Sequence, residues 1–210
     1  MIERQIKQLH EVGIYDITIV VGYLKEKFEY LIDKFDVKLL YNPEYSCKNT
    51  LATVYRARKF LKGRNVYILS SDNWMRENMY HSYECGAWYS AAHEEGETKE
   101  WCLTFNKKGR ISDVNVGGKD AWFMYGPVYL SREFSARFLP VLEAYYQIPG
   151  TEQFYWEQPY VDMLKGEAKH RLEKEDKEAV KNRQKKPVVF LHLNGVRSKW
   201  TSTVSRMTGI

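Results

Sequence analysis

The residues able to do chemistry fall into a few groups. Ser71-Asp72-Asn73 follows an apolar run, Asn65–Ser70. Open α/β sheets bind ligands at the carboxyl ends of their strands. Mg²⁺ bound to phosphates takes one or two carboxylates, with water and phosphate oxygens completing the shell. Asp72 fits that role, and it fits equally a turn in which it caps the next short helix. Trp101, Trp122, Phe123, Tyr125, Tyr155 and Trp156 form an aromatic set. Ring faces attract cations, quaternary ammonium groups above all, and rings also fill cores. Glu152 and Glu157 flank Phe154-Tyr155-Trp156. Each can be a metal ligand, a counter-charge for a cation, or an acid at a helix N-terminus. Asn49, ahead of Thr50, can cap a helix or reach a base or ribose.

Other chemistries lack their residues. His10, His81, His93, His170 and His192 show no H-x-x-x-H spacing. The sequence contains no G-x-x-x-x-G-K-[ST] loop and no G-x-S-x-G elbow. Cys47, Cys85 and Cys102 have no metal-ligand spacing and read as reduced thiols in a cytoplasm. The net charge is +5, yet residues 165–210 alone hold 12 Lys+Arg against 5 Asp+Glu. The rest of the chain therefore carries a balance of −2 and gives no electrostatic case for a polyanion. The tail mixes its bases with acids and has few aromatics, which disfavours nucleic acid as a partner. The apolar runs, such as Ile17–Val21, are too short to span a membrane.

The elements that must position these residues read as alternating helices and strands. A helix is predicted over 2–12 with Ile2, Ile6, Leu9 and Val12 on one side, and a strand over Asp16–Val21. A helical stripe runs through Leu24, Phe28, Leu31, Ile32 and Phe35, followed by a strand at Val37–Tyr41. Thr50–Leu61 reads as a helix and Asn65–Ser70 as a strand. That alternation implies βαβ units and a parallel sheet. Beyond residue 80 come strands at Ala87–His93, Trp101–Asn106, Ile111–Val116 and Ala121–Leu130, with a hairpin turn at Lys107–Arg110. Ser131 caps a helix to about Tyr146, and Phe154–Leu164 is a further helix. Residues 1–164 form the body. Residues 165–210 form a basic tail: a charged stretch to Lys186, a strand at Pro187–Leu193, and a polar aperiodic end.

Several stretches occur in an order that resembles the small bacterial nucleotidyltransferases of the phosphocholine cytidylyltransferase type. They are Ile2-Glu3-Arg4-Gln5-Ile6, Ile17–Val21 with Gly22-Tyr23-Leu24-Lys25-Glu26, Tyr41-Asn42, Asn49-Thr50, Ser71-Asp72-Asn73-Trp74 and Phe154-Tyr155-Trp156-Glu157. The resemblance covers roughly residues 1–165. It implies the Rossmann-like nucleotide-diphospho-sugar transferase fold, a mostly parallel sheet with an antiparallel extension. It implies a reaction in which a phosphomonoester, phosphocholine, attacks the α-phosphate of CTP and releases pyrophosphate. Asp72 and Glu157 would be the catalytic acids and Mg²⁺ ligands. Trp101, Tyr125, Tyr155, Trp156 and Glu152 would bind the acceptor, and Asn49 the nucleotide. A sugar-1-phosphate acceptor, or an inactive remnant, is the alternative.

The resemblance also implies a preceding strand, a Gly-rich loop and a P-K pair, none of which is in the sequence. The expectation is thus a domain lacking its first βα unit, folding poorly and turning over little. A gap would lie beside Asn65–Ser70 or Asp16–Val21, open to solvent or filled by a segment such as Pro187–Leu193.

Overall fold

The computed structural model describes residues 1–166 and 188–192. Helix α1 (Ile2–Glu11) turns Ile6 and Leu9, both fully buried, towards the sheet. Gly13, at φ 74°, then reverses the chain. Strand β1 (Ile17–Val21) is buried at every position, as a strand covered on both faces must be. Helix α2 (Tyr30–Phe35) leads to β2 (Lys38–Tyr41), and α3 (Thr50–Arg56) to β3 (Val66–Ser70). Two long strands follow, β4 (Trp88–Phe105) and β5 (Ile111–Leu130), then α4 (Arg132–Gln147), α5 (Glu157–Leu164) and β6 (Val188–His192).

The strands form one sheet in the order β2-β1-β6-β3-β5-β4. The first four are parallel; β5 runs antiparallel to β3, and β4 antiparallel to β5. This is the mostly parallel sheet with an antiparallel extension that the resemblance implied. Side chains alternate across it. Tyr67 and Leu69 pack with Ile6, Leu9 and Leu31 on one face. Val66 and Ile68 pack with Leu51, Phe134, Phe138 and Tyr160 on the other.

Some predicted boundaries move. The stripe from Leu24 to Phe35 is not one helix: Leu24 takes a left-handed φ of 51°, Lys25–Phe28 form a 3₁₀ turn, and only Leu31 of α2 is buried. Leu31 is buried in the core and Phe28 and Phe35 pack against it, while Leu24 and Ile32 stay exposed, so only part of the stripe faces the core. The helix from Thr50 ends at Arg56 and tightens into a 3₁₀ turn at Arg58–Phe60. The four strands predicted between 87 and 130 are two, joined through the Asn106–Arg110 turn. The polar stretches between them stay extended because each supplies the other's ladder. Register shifts between Glu94 and Trp101, with positive φ at Gly117 and Asp120, absorb the mismatch.

The last described strand lies where the expected gap was placed. β6 lies between β1 and β3 and pairs with both: Ile19 and Leu69 both face Leu191, and Ser70 faces His192. The two strands beside the expected gap therefore have neighbours on both sides. Val188–His192, from within the predicted strand, occupies that place. The charged stretch from Lys165 to Lys186, beyond Gly166, and the polar end from Asn194 to Ile210 lie outside the described residues. No helix of the described residues is long and apolar enough to cross a membrane.

Candidate active site

The turn after β3 is held by three elements. Asn73 N–H donates to the Ser70 carbonyl at 3.2 Å, closing the turn over Ser71 and Asp72. From below, Gln5 of α1 donates its side-chain amide to the Ser70 and Asn73 carbonyls, each at 2.8 Å. Arg4 Nε donates to the Met75 carbonyl at 2.8 Å, its guanidinium also reaches the Arg76 carbonyl, and it lies 5.4 Å from the centre of the Trp74 ring. Gln8 adds a 3.3 Å bond to Met75. From β5, the Tyr125 carbonyl accepts from Asn73 Nδ2 at 3.2 Å. Gly126 has no side chain because a Cβ there would overlap the Asn73 amide. Asp72 sits half-buried at the top of this mount. Burial pushes its carboxyl pKa up, and its own backbone N–H opposes the shift.

A second group forms where α3 meets the chain leading into α5. Asn49 N–H donates to the Glu152 carbonyl at 2.8 Å, and Leu51 N–H to the Phe154 carbonyl at 3.2 Å. Asn49 Nδ2 donates to Gln153 at 3.3 Å while its Oδ1 accepts from Thr50 N–H. Thr50 Oγ1, buried, accepts from Trp156 N–H at 2.9 Å. The start of α5 is thus fixed against the start of α3. The Asn49 side chain is engaged in that joint.

The aromatic set divides. Trp156 is 6% exposed, 6.2 Å from Tyr89 in a stacked pair and edge-on to Phe138; it is a core residue. Trp101 and Tyr155 meet edge to face at 6.0 Å, and Tyr155 is about half exposed, leaving ring surface open to solvent. Trp122 stands against His93, not with them. Tyr125 contributes its carbonyl to the Asp72 turn.

The two acids differ as much. Glu152 is exposed, and its carboxyl pKa is lowered by its own N–H and that of Gly150. Glu157 accepts from the Tyr89 hydroxyl at 3.0 Å. Its Oε2 is shut off from solvent with no hydrogen-bond partner among the described residues. Burial pushes its pKa up to about 7, against the opposing pull of its own N–H and of Tyr89. No group of three or more His, Cys, Asp or Glu able to hold a metal occurs among the described residues.

Gln5, Gln8 and Gly126 were not singled out in the sequence. The glutamines stand three apart, beside the apolar stripe of α1, and both are buried. That spacing was the available signal for the first two. Gly126 gave none, because the residue it must admit is 53 positions away.

No family model matches the chain. It is 30% identical over 165 residues to the choline-phosphate cytidylyltransferase of Streptococcus pneumoniae, spanning 79% of this chain and 71% of that protein. It is 31% identical over 159 residues to the 2-aminoethylphosphonate cytidylyltransferase of Lancefieldella rimae, spanning 75% of this chain and 65% of that one. Among solved structures, the CTP:phosphocholine cytidylyltransferase from Streptococcus pneumoniae superposes with a TM-score of 0.74 at 29% identity, over 78% of this chain and 71% of that one. A UDP-glucose pyrophosphorylase shares the fold alone, with a TM-score of 0.51 at 11% identity over 76% of this chain and 73% of that one.

Proposed function

The chain belongs to the choline-phosphate cytidylyltransferase family of nucleotidyltransferases, and from that premise we propose that it transfers the cytidylyl group of CTP to phosphocholine, with release of pyrophosphate. In the reaction an acceptor phosphate oxygen bonds to the α-phosphorus of CTP while the bond to the β-phosphate bridging oxygen breaks. Such chemistry asks a protein for positioning and charge neutralisation more than for covalent participation. The observation that carries the reading is a carboxylate, Asp72, mounted at the carboxyl edge of a parallel sheet. Mg²⁺ bound there would neutralise triphosphate charge. Glu157, whose buried Oε2 lacks a partner among the described residues, is the second acid of the reading.

The acceptor follows from the rings. The Trp101–Tyr155 corner offers two aromatic surfaces to a trimethylammonium head, which cannot form strong hydrogen bonds and gains from a ring face. An aminoethyl head, as in 2-aminoethylphosphonate, is also a cation but demands hydrogen-bond acceptors for its N–H groups. Use of CTP as donor is in keeping with a cytoplasmic protein.

The test uses the chain of residues 1–210. Calorimetry with CTP should show binding that Mg²⁺ strengthens, and Asp72→Asn should remove that Mg²⁺-dependent gain with the fold intact. Pyrophosphate release should favour phosphocholine over 2-aminoethylphosphonate and glucose 1-phosphate. Equal Mg²⁺-dependent affinity in Asp72→Asn overturns the site, and preference for the sugar phosphate overturns the acceptor.

A further inference from the structure

We propose that Gln5 is a positioning residue for the Asp72 carboxylate, holding the turn that carries it from inside the fold. The inference rests on the reading of Asp72 given above. The Gln5 amide nitrogen has two hydrogens, and each goes to a backbone carbonyl on one side of Asp72: Ser70 before it and Asn73 after it, both at 2.8 Å. Both partners only accept, so the orientation of the amide is fixed by them. Gln5 is 1% exposed, and its neighbours Ile6 and Leu9 lock α1 onto the sheet. The turn is therefore tied to a packed helix.

The cost of this arrangement argues for its purpose. Gln5 Oε1 is buried with no hydrogen-bond partner among the described residues. A buried acceptor left unpaired is destabilising, and an apolar side chain of similar length would fill the space without that cost. What such a side chain could not do is bracket Asp72. From the other side Asn73 is bonded to the Tyr125 carbonyl, so the turn is fixed from two directions. A carboxylate that must meet a metal and a phosphate gains from being set before they arrive, since small misplacements lower rates and affinities steeply.

The experiment uses the full chain with Gln5→Met, which keeps length and loses both donors, Gln5→Glu, and Asp72→Asn as reference. Calorimetry measures CTP affinity with Mg²⁺ and with EDTA. Hydrogen exchange follows residues 70–73 and α1. For Gln5→Met we expect Mg²⁺-dependent affinity to fall at least about tenfold, EDTA values to stay unchanged, and exchange to quicken at 70–73 while α1 stays protected. An unchanged Mg²⁺-dependent affinity, or an equal loss with and without Mg²⁺, overturns the proposal. If Gln5→Met does not fold, Gln5→Glu decides. Its affinity, relative to the unaltered chain, should recover as pH falls and the carboxyl regains a donor; no recovery overturns the proposal. Loss in Asp72→Asn without loss in the Gln5 variants removes the role of Gln5 alone. Unchanged affinity in Asp72→Asn removes the reading of the site itself.

Discussion

The buried Glu157 carboxyl makes folding depend on pH in the neutral range. Glu157 titrates at about 7 in the fold, against an ordinary value of 4.5. Between those values the folded chain holds a proton that the unfolded chain has lost, so stability falls as pH rises through the window. The slope contributed by the group is at most about 1.4 kcal/mol per pH unit. Thermal melts from pH 4 to 8 should show this decline, and Glu157→Gln should flatten it, with its relative gain greatest at the alkaline end. The rings divide at the same scale. Trp156→Ala removes a core side chain between Tyr89 and Phe138 and should cost about 3–5 kcal/mol in urea denaturation. Trp101→Ala, at a ring half-buried against the same core, should cost less stability than Trp156→Ala. It should weaken phosphocholine binding by up to tens-fold in a titration, since a desolvated cation–π contact is worth about 2 kcal/mol. A large stability loss in Trp101→Ala, with unchanged phosphocholine affinity, would place that ring in the core as well.

Among the elements, β5 does two jobs. Its C-terminal half pairs with β3 and β4, and its Tyr125-Gly126 step receives Asn73. A glycine inside a strand often marks such a close approach. Gly126→Ala would drive a methyl group into the Asn73 amide and break its bond to the Tyr125 carbonyl. Overpacking of this kind costs about 1–3 kcal/mol. Urea denaturation should show that loss, and calorimetry should show weaker Mg²⁺-dependent CTP binding, because the Asp72 turn moves with Asn73. A variant that melts normally and binds normally would mean the turn can shift without consequence. Helix α4 depends less on any one contact: Ser131 accepts from Phe134 N–H at 3.2 Å, and the helix continues through Pro140.

For the whole molecule, the strand nearest the C-terminus decides whether the sheet is continuous. β6 supplies the ladder between β1 and β3, and Phe190 faces Thr18 on one side and Ile68 on the other. Phe190→Pro removes the N–H of that residue from the centre of a parallel sheet, where proline is otherwise absent. Each backbone group left unpaired costs about 1–3 kcal/mol. Hydrogen exchange should therefore quicken in β1 and β3 together, with β4 and the distal part of β5 little changed. Protection retained in both strands would show that β6 does not hold them in solution. α1 gives the two halves a second tie, because its apolar side packs with β1 and β3 while its polar side bonds the chain after β3.

Local pattern was enough for the order of elements. The β-branched run at 17–21, the turn glycines and the Ser131 cap each act within a few residues, so they can be read in the sequence. So could the place of Asp72, because a carboxylate after an apolar strand can lie only at the strand's carboxyl end. The length of β4 and β5 was hidden, since polar segments such as Glu94–Glu100 become strand only through the partner that satisfies their backbone. Trp101 and Trp156 look alike in sequence, and packing alone left one half-buried beside Tyr155 and put the other in the core. Gln5 and Asp72 are far apart along the chain, and so are Gly126 and Asn73. Pairs of that kind exist only once the sheet brings them together. An apolar segment and an expected gap beside Asp16–Val21 or Asn65–Ser70 pointed to the place of Val188–His192, but only the folded sheet set it between both strands, in a register that no single run specifies.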